Sequence, residues 1–276
     1  MALAPADTGS ETTTQIDRAG VLSGRRFAAS LGLDAATLFG LATVVSLLVL
    51  IEILVRTGAI SSLIIALPSE AIGAIFHGET FLKLVQATKL TFGMVLAAMV
   101  AEVVIAIPAG YLLYRYKAFG KAYEGWLASL FAAPIFLLYP LFMVIFGRNN
   151  FTLIFMGMAA GIIPIIVHVR LAFTSIPPTL IKVGRSFHMS ESTIFWKIMV
   201  PAGAKTIFTG IRLGLIYTLI NIIAIEYLVD AGGLGRMVSD SYFRFDITGT
   251  YTAIIAVTLV SVVFNIIVNR IEKLVR

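Results

Sequence analysis

Long uninterrupted apolar runs are the feature that most limits how this chain can fold. A membrane-spanning helix needs about 20 mostly apolar residues, because the hydrocarbon core of a bilayer is about 30 Å thick. The segments that meet this requirement run from about 36 to 55, 90 to 114, 126 to 146, 153 to 173, 207 to 229 and 251 to 268. The sequence therefore predicts an all-α membrane protein with about six transmembrane helices.

The composition agrees with a bilayer as the solvent. Charged residues make up 13% of the chain and hydrophobic residues 59%, whereas a soluble domain has about 25% charged residues. The basic residues fall between the apolar runs, which is typical of membrane topology and not of a nucleic-acid-binding surface. Cysteine is absent and the three histidines are far apart in sequence, so no metal-ligand spacing is present. We expect a lipid bilayer, and not a nucleic acid, around this chain.

Lysine and arginine residues predict the orientation. If both termini are cytoplasmic, fifteen of the 21 basic residues lie on that side and six lie on the other. This bias favours a multi-pass protein with both termini inside. Residues 1–34 are polar and have no apolar core before a small-residue cleavage site, so we expect a disordered cytoplasmic tail and not a signal peptide. Residues 35–276 are then the transmembrane domain.

Two polar segments fall outside the membrane in this topology. Residues 57–89 are too polar to span, and the string Leu67-Pro68-Ser69-Glu70 within them is typical of a helix start. We predict a short helix there at the outer surface. Residues 230–250 are rich in glycine and charge, which predicts a loop or a short re-entrant turn.

A third polar segment, about 177–205, separates the fourth and fifth apolar runs. Pro177 and Pro178 favour a helix start, and apolar residues recur at helical spacing up to Phe187. Ser190 is a good N-cap with Glu191 in the following turn, and Pro201 is expected to stop this second helix. The segment therefore predicts a helix-turn-helix between two membrane spans.

The order of residues in this segment resembles the cytoplasmic loop of ATP-binding-cassette importer permeases. That loop reads roughly E-A-A, three residues, Gly, nine residues and then I-x-L-P. Lys182-Val183-Gly184 stand at the E-A-A positions, His188 at the Gly, and Ile198 to Pro201 at the final motif. Lysine thus replaces the glutamate, and histidine replaces the glycine. Histidine adopts a left-handed backbone less easily than glycine does.

Four further strings strengthen the resemblance, three of them to the nitrate, sulfonate and taurine branch. The opening of the fifth run, 207–212, is similar to the family pattern at that helix. Residues 67–69 resemble the outer L-P-S-P motif of that branch, and 139–147 resemble its P-L-F…F-G motif. Glu226 before the string 233–235 resembles an acidic residue before a G-L-G turn. The resemblance covers the chain from about residue 58 to its C-terminus.

Membership of that family implies a bacterial inner-membrane permease subunit and not an enzyme. Two copies, or two related chains, would form one pathway, an extracytoplasmic binding protein would deliver the substrate, and separate ATPase subunits would bind ATP, so that this chain needs no cofactor. The P-loop pattern is absent from the chain, in agreement with a separate ATPase. The branch suggests a small organic or inorganic anion such as a sulfonate, nitrate or an aromatic acid. The residues implied at the ATPase contact are Lys182, Val183, Gly184, Arg185, Phe187, His188, Ser190, Glu191, Phe195, Ile198 and Pro201.

Polar side chains inside the apolar runs are candidates for the translocation pathway, because charges near the bilayer centre are costly. Glu102 fits a structural role and a pathway role equally well, whereas Asn221 favours hydrogen bonding between helices. Glu226 is a candidate gate residue, and Tyr139 and Phe142 are candidates for an aromatic pathway wall. Glu52 and Arg56 have the spacing of a helix-end ion pair. The G-x-x-x-G strings 157–161 and 210–214 permit close helix contact and are candidates for a dimer seam.

Two other functional classes remain open at this point. A secondary transporter working alone would need internal repeats and a coupling-ion site. No clear repeat relates the two halves of this sequence. A membrane-embedded enzyme would need acid, base or metal residues at one depth, whereas Glu52, Glu102 and Glu226 are scattered along the chain. The permease interpretation is therefore preferred.

Overall fold

The computed structural model describes residues 35–274; the predicted tail, 1–34, lies outside the described residues. The described residues form helices joined by turns, and no strand occurs among them. Five helices of this part are long and apolar enough to cross a membrane, and a bent helix pair makes a sixth if it counts as one span. The predicted all-α membrane fold with about six spans is confirmed.

The chain divides into two compact units at Pro68. The described part of the first unit contains helix α1, Ala35–Arg56, and a turn region. The Arg56 guanidinium lies 2.7 Å from Glu52 Oε1 at the end of α1, which confirms the predicted helix-end ion pair. Helix α2, Pro68–Ile75, begins where the sequence predicts, with Glu70 in its first turn.

The remaining helices belong to the second unit. They are α3 (Gly78–Arg115), α4 (Lys117–Ala132), α5 (Tyr139–Phe146), α6 (Asn150–Thr174), α7 (Pro178–Ser186), α8 (Glu191–Ile194), α9 (Val200–Val229), α10 (Gly233–Phe243) and α11 (Ile247–Leu274). A 3-10 turn, Ile135–Leu138, precedes α5, and a π turn, Phe195–Met199, joins α8 to α9. Helix α3 begins well before the apolar run that predicts it, because Leu84 and Ala87 of its first turns are buried in the core.

The third predicted span, 126–146, is wrong as a single straight helix. Helix α4 and the helical segment 135–146 are bent by 82° at a short break. Pro134 disfavours a helical backbone at the residue before it, and Ala133 is extended with φ −74° and ψ 134°. Pro140 lies in the first turn of α5, where its missing N–H is not needed. The break therefore follows from Pro134, and the new helix start from Pro140.

Two further predictions are wrong, one about the end of a helix and one about a loop. Pro201 does not stop the second helix of the loop, since it lies in the first turn of α9 and the helix continues from Glu191 to Val229. A proline ring clashes with the carbonyl four residues earlier in a regular α-helix, and the π turn before Pro201 shifts that carbonyl. Residues 233–243 form helix α10 and not a loop.

Helix α6 packs between α3 and α9 and forms the centre of this unit. Gly157 faces Ile222 and Thr218 of α9, and Gly214 faces Ile165 of α6. Both G-x-x-x-G strings therefore line a seam within the chain, in place of the proposed dimer seam. Small residues there let the two backbones approach closely.

Candidate functional site

The polar segment between α6 and α9 folds as the predicted helix-turn-helix. The turn after α7 has Phe187 N–H bonded to the Val183 carbonyl (3.2 Å) and Met189 N–H bonded to the Gly184 carbonyl (3.1 Å). His188 has a φ of 54°, so the left-handed backbone lies at the position where the family pattern has glycine. The spacing of the pattern thus corresponds to a real turn geometry.

The second helix of the loop starts at its expected cap. Ser190 Oγ accepts a hydrogen bond from Thr193 N–H at 3.2 Å, as an N-cap does. Glu191 in the first turn pairs with Arg185 of α7, with 3.0 Å between Arg185 Nη2 and Glu191 Oε1. This ion pair is exposed, so its contribution to stability is small, but it links the two helices of the loop across the turn.

The inner side of the loop is packed against the transmembrane helices. Gly184 is buried against the second helix of the loop. A Cβ atom at this position would lie 2.7 Å from Ile198 and 3.1 Å from Ile194, so only glycine fits without a shift. The Phe195 ring lies 4.8 Å from the Tyr111 ring of α3 and 5.6 Å from the Phe173 ring of α6, measured between centroids. The loop is therefore in direct contact with α3 and α6.

One side of α7, continued by the residue after it, is apolar and exposed. Leu180, Val183 and Phe187 are 44%, 47% and 76% exposed and recur at helical spacing. We call these three residues the loop stripe. Exposed apolar residues grouped in this way are typical of an interaction site. Most loop residues implied at the ATPase contact are exposed, namely Lys182, Val183, Arg185, Phe187, His188, Ser190, Glu191 and Pro201; Phe195 and Ile198 are half-buried.

Glu102 lies inside the crossing of α3, α6 and α9. Its side chain is fully buried, and its Oε1 accepts a hydrogen bond of 2.5 Å from Thr218 Oγ1 of α9. Its Oε2 has no hydrogen-bond partner among the described residues. The neighbouring position on α6 is Gly161, where a Cβ atom would overlap both the Thr218 hydroxyl and the Glu102 carboxyl group. The glycine therefore makes the space that this polar pair occupies.

Glu226 is also fully buried, at the far end of α9. Its Oε1 accepts a hydrogen bond from Thr91 Oγ1 of α3 (2.7 Å), and its Oε2 accepts one from Gly235 N–H (2.9 Å). Thr91 Oγ1 in turn accepts from Leu234 N–H at 2.9 Å. The first N–H groups of a helix have no partner within it, and here Thr91 and Glu226 supply partners to α10. Glu226 thus ties α9 to α3 and α10.

The other pathway candidates lie apart from these two carboxyl groups. Asn221 Nδ2 donates to the Tyr217 carbonyl of its own helix at 2.9 Å, and its Oδ1 has no partner among the described residues. Tyr139 and Phe142 are on α5, where the Phe142 ring lies 5.3 Å from the Phe155 ring of α6. The structure therefore brings Glu102 and Glu226 to separate points of the α3–α6–α9 bundle, and it places the aromatic candidates on the short helix after the bend.

Sequence reasoning missed the residues that hold these carboxyl groups. Thr218 and Thr91 bind Glu102 and Glu226 across sequence separations of 116 and 135 residues. It also missed Arg148, whose Nη2 donates to the Asp230 carbonyl at 2.6 Å, and Arg236, whose Nε lies 2.6 Å from Asp230 Oδ1. No local pattern marks such pairs. The positive φ of Asp230, 49°, is consistent with a tight turn after α9.

Known proteins resemble this chain over most of its length. Residues 93–276 match the family model described as "Binding-protein-dependent transport system inner membrane component". A probable ABC transporter permease protein of Brucella melitensis is 24% identical over 65% of this chain and 73% of its own length. The nitrate import permease protein of Synechocystis sp. is 26% identical over 63% of this chain and 64% of its own length.

The fold is shared with a solved transporter. A chain of the MetNI methionine ABC transporter in an inward facing conformation has a TM-score of 0.62 and 22% identity, covering 73% of this chain and 100% of that one. The family model spans well over half of the sequence and includes the loop, both buried carboxyl groups and helix α10. The chain therefore belongs to the binding-protein-dependent transport system inner membrane component family, and it is a permease subunit of the ABC importer type.

Proposed function

We propose that this permease receives movement from a separate ATPase subunit through the loop 177–205. One observation supports this above the others: α7 exposes the loop stripe while the rest of the loop is anchored on α3 and α6. The partner would bind the exposed apolar surface, and the packed side of the loop would pass the partner's movement to α3 and α6. ATP binds to that partner, so this chain needs no cofactor of its own.

The remaining partners follow from the same proposal. The chain lies in a bacterial inner membrane with both termini cytoplasmic, as the distribution of basic residues favours. A second copy, or a related permease, completes the pathway, and an extracytoplasmic binding protein delivers the substrate.

The proposed substrate is a small organic or inorganic anion, such as nitrate, a sulfonate or an aromatic acid. The nitrate import permeases among the relatives support this class. The enclosed position of Glu102 supports it as well, because a carboxyl group with 0% exposure does not repel an anion at a pathway surface. The proposed pathway residues are Tyr139 and Phe142, which are half-buried, and Asn221, which is buried. Glu226 is the proposed gate residue, because it holds the start of α10.

Phe187→Ala tests the docking proposal. Phe187 is 76% exposed, so its loss should leave the fold intact. Removing a buried aromatic anchor from an interface costs about 2 kcal/mol or more, which is about 30-fold in affinity. We expect the variant to insert into the membrane normally and to retain far less of the ATPase that co-purifies with the tagged wild-type chain.

Phe243→Ala is the matched control for this measurement. Phe243 is 70% exposed on α10, away from the loop, and the substitution removes the same ring. It should retain the ATPase as the wild type does. Equal ATPase retention by wild type and Phe187→Ala, or by a chain that lacks residues 182–201, would contradict the docking proposal.

Glu102→Gln tests the role of the buried carboxyl group. The glutamine side chain keeps a carbonyl oxygen that can accept the Thr218 hydrogen bond, so we expect reconstituted transport to keep its rate and its pH profile. Glu102→Leu removes the closer acceptor of the Thr218 hydroxyl and leaves only the Gly157 carbonyl at 3.3 Å, so it should lower stability by about 1 kcal/mol. A changed pH profile in Glu102→Gln would instead assign Glu102 to proton movement in the pathway.

A further inference from the structure

An open groove between α4 and α6 has no role in the proposed function. It has a volume of about 450 Å³, and its lining residues belong to the second unit. Its apolar wall includes Phe131, Val167 and Leu171, which are 39%, 38% and 54% exposed. Glu124 is the first residue of α4 to line the groove, and Arg170 of α6 lies against it. The groove therefore combines an apolar wall with one charged end.

Basic side chains outnumber acidic ones at the charged end. Arg170 Nη2 donates to Glu124 Oε2 at 3.3 Å, and its guanidinium has no other acceptor among the described residues. A guanidinium has five N–H groups, so Arg170 keeps donors for a further anion. Lys117 and Lys121 precede Glu124 on α4 and lie within about 60° of it around the helix axis. Both lysines are exposed and form no ion pair within residues 35–274, so three cationic groups share one carboxylate.

The length of this surface matches one leaflet of a bilayer. Residues 121 and 131 are ten positions apart on α4, which is about 15 Å at 1.5 Å per residue. The hydrocarbon core is about 30 Å thick, so one leaflet is about 15 Å deep. A ligand with an anionic head at the lysine end and an apolar tail of this length would cover both parts of the groove.

A second groove, between α3 and α11, serves as a comparison within the same protein. Its volume is about 430 Å³, and Phe92, Val263 and Phe264 are among its lining residues. No charged side chain lines it. Both grooves fit an acyl chain, but of the two the α4–α6 groove alone has charged groups for a headgroup.

We infer that the α4–α6 groove binds an anionic phospholipid, with an acyl chain along the apolar wall and the phosphate at Arg170, Lys117 and Lys121. Lysine and arginine at a membrane surface attract anionic headgroups, and a basic pocket between helices holds such a headgroup in place. A soluble anion would leave the apolar wall uncovered, which favours a lipid as the occupant.

Native mass spectrometry of the full chain in detergent tests the charged end. The probes are palmitoyl-oleoyl phosphatidylglycerol and palmitoyl-oleoyl phosphatidylcholine, which have the same chains and differ in headgroup charge. The wild type should bind the phosphatidylglycerol about 30-fold more tightly, and Lys117→Ala/Lys121→Ala should lose that preference, at roughly fivefold for each lysine. Lys205→Ala/Lys273→Ala removes two exposed lysines outside the groove and should keep it. Equal binding of the two lipids by the wild type, or an equal loss in both double variants, would overturn the inference.

A bulky residue tests the apolar wall without a change of charge. Ala128→Trp places an indole on the groove wall, whereas Ala122→Trp places it on the opposite side of α4, about 160° from Glu124. Both alanines are exposed, so both variants should fold, and we expect Ala128→Trp alone to lose phosphatidylglycerol. Unchanged lipid binding by Ala128→Trp would overturn the inference, whether or not that variant separated two copies of the chain. Displacement of the lipid by an equal concentration of glycerol phosphate would overturn it as well, because the site would then recognise a soluble anion.

Discussion

Gly161→Ala is expected to destabilise the purified protein by about 3 kcal/mol or more. An added Cβ atom would overlap the Thr218 hydroxyl and the Glu102 carboxyl group, both of which are fully buried. Overpacking of a core costs about 1–3 kcal/mol, and a broken buried hydrogen bond adds about 1–3 kcal/mol. Alanine is the better helix former by about 1 kcal/mol, which offsets only part of the loss. Thermal unfolding in detergent measures the difference.

Gly93→Ala is the control for Gly161→Ala. Gly93 lies within α3, and an added Cβ atom there has no heavy atom within 4 Å. This variant should be as stable as the wild type or slightly more stable, since only helix propensity changes. If the two alanine variants unfolded at the same temperature, the close packing of Gly161 against Glu102 and Thr218 would not exist in the folded protein.

Glu226→Ala is expected to have the second large effect, a loss of about 2–5 kcal/mol. The substitution leaves Thr91 Oγ1–H and Gly235 N–H without their acceptor, and each unsatisfied buried donor costs about 1–3 kcal/mol. The loss should begin at the N-terminus of α10, because both donors hold that end. Hydrogen exchange should therefore show faster exchange in α10 before any change in α6, in addition to a lower unfolding temperature.

Two variants separate this capping role from a general effect of removing a carboxyl group. Glu226→Gln keeps one acceptor but turns an amide NH₂ towards one of the two donors, so its loss of stability should be intermediate. Glu70→Ala removes an exposed glutamate in the first turn of α2 and should cost less than 1 kcal/mol. A Glu226→Ala variant that kept wild-type exchange in α10 would show that Thr91 alone caps this helix.

Local signals predicted the loop well. Ser190, Glu191 and the prolines at 177 and 178 act on residues within one helical turn, so the sequence shows them directly. The same holds for Arg56 and Glu52, four residues apart on α1. His188 is the more informative case, because only the spacing of the whole pattern marks it as the residue that must adopt a left-handed backbone.

Long-range contacts account for what the sequence did not predict. Helix α10 has a start rich in glycine that looks like a loop, and it forms because Thr91 and Glu226 satisfy its first N–H groups from other helices. Pro201 failed as a stop signal because the π turn before it accommodates the ring. The bend at Pro134 was equally hidden, since internal prolines are common in membrane helices and most cause only kinks.

The uninterrupted helix from Glu191 to Val229 has a mechanical consequence. At 1.5 Å per residue it measures roughly 58 Å, more than the thickness of a bilayer with its headgroups. Near one end Phe195 packs against Tyr111 of α3, and near the other end Glu226 holds α10. We expect a tilt at one end to reach the other, because the helical backbone continues between the two ends. The loop and α10 should therefore move together, although the helix changes to a π turn at Phe195–Met199.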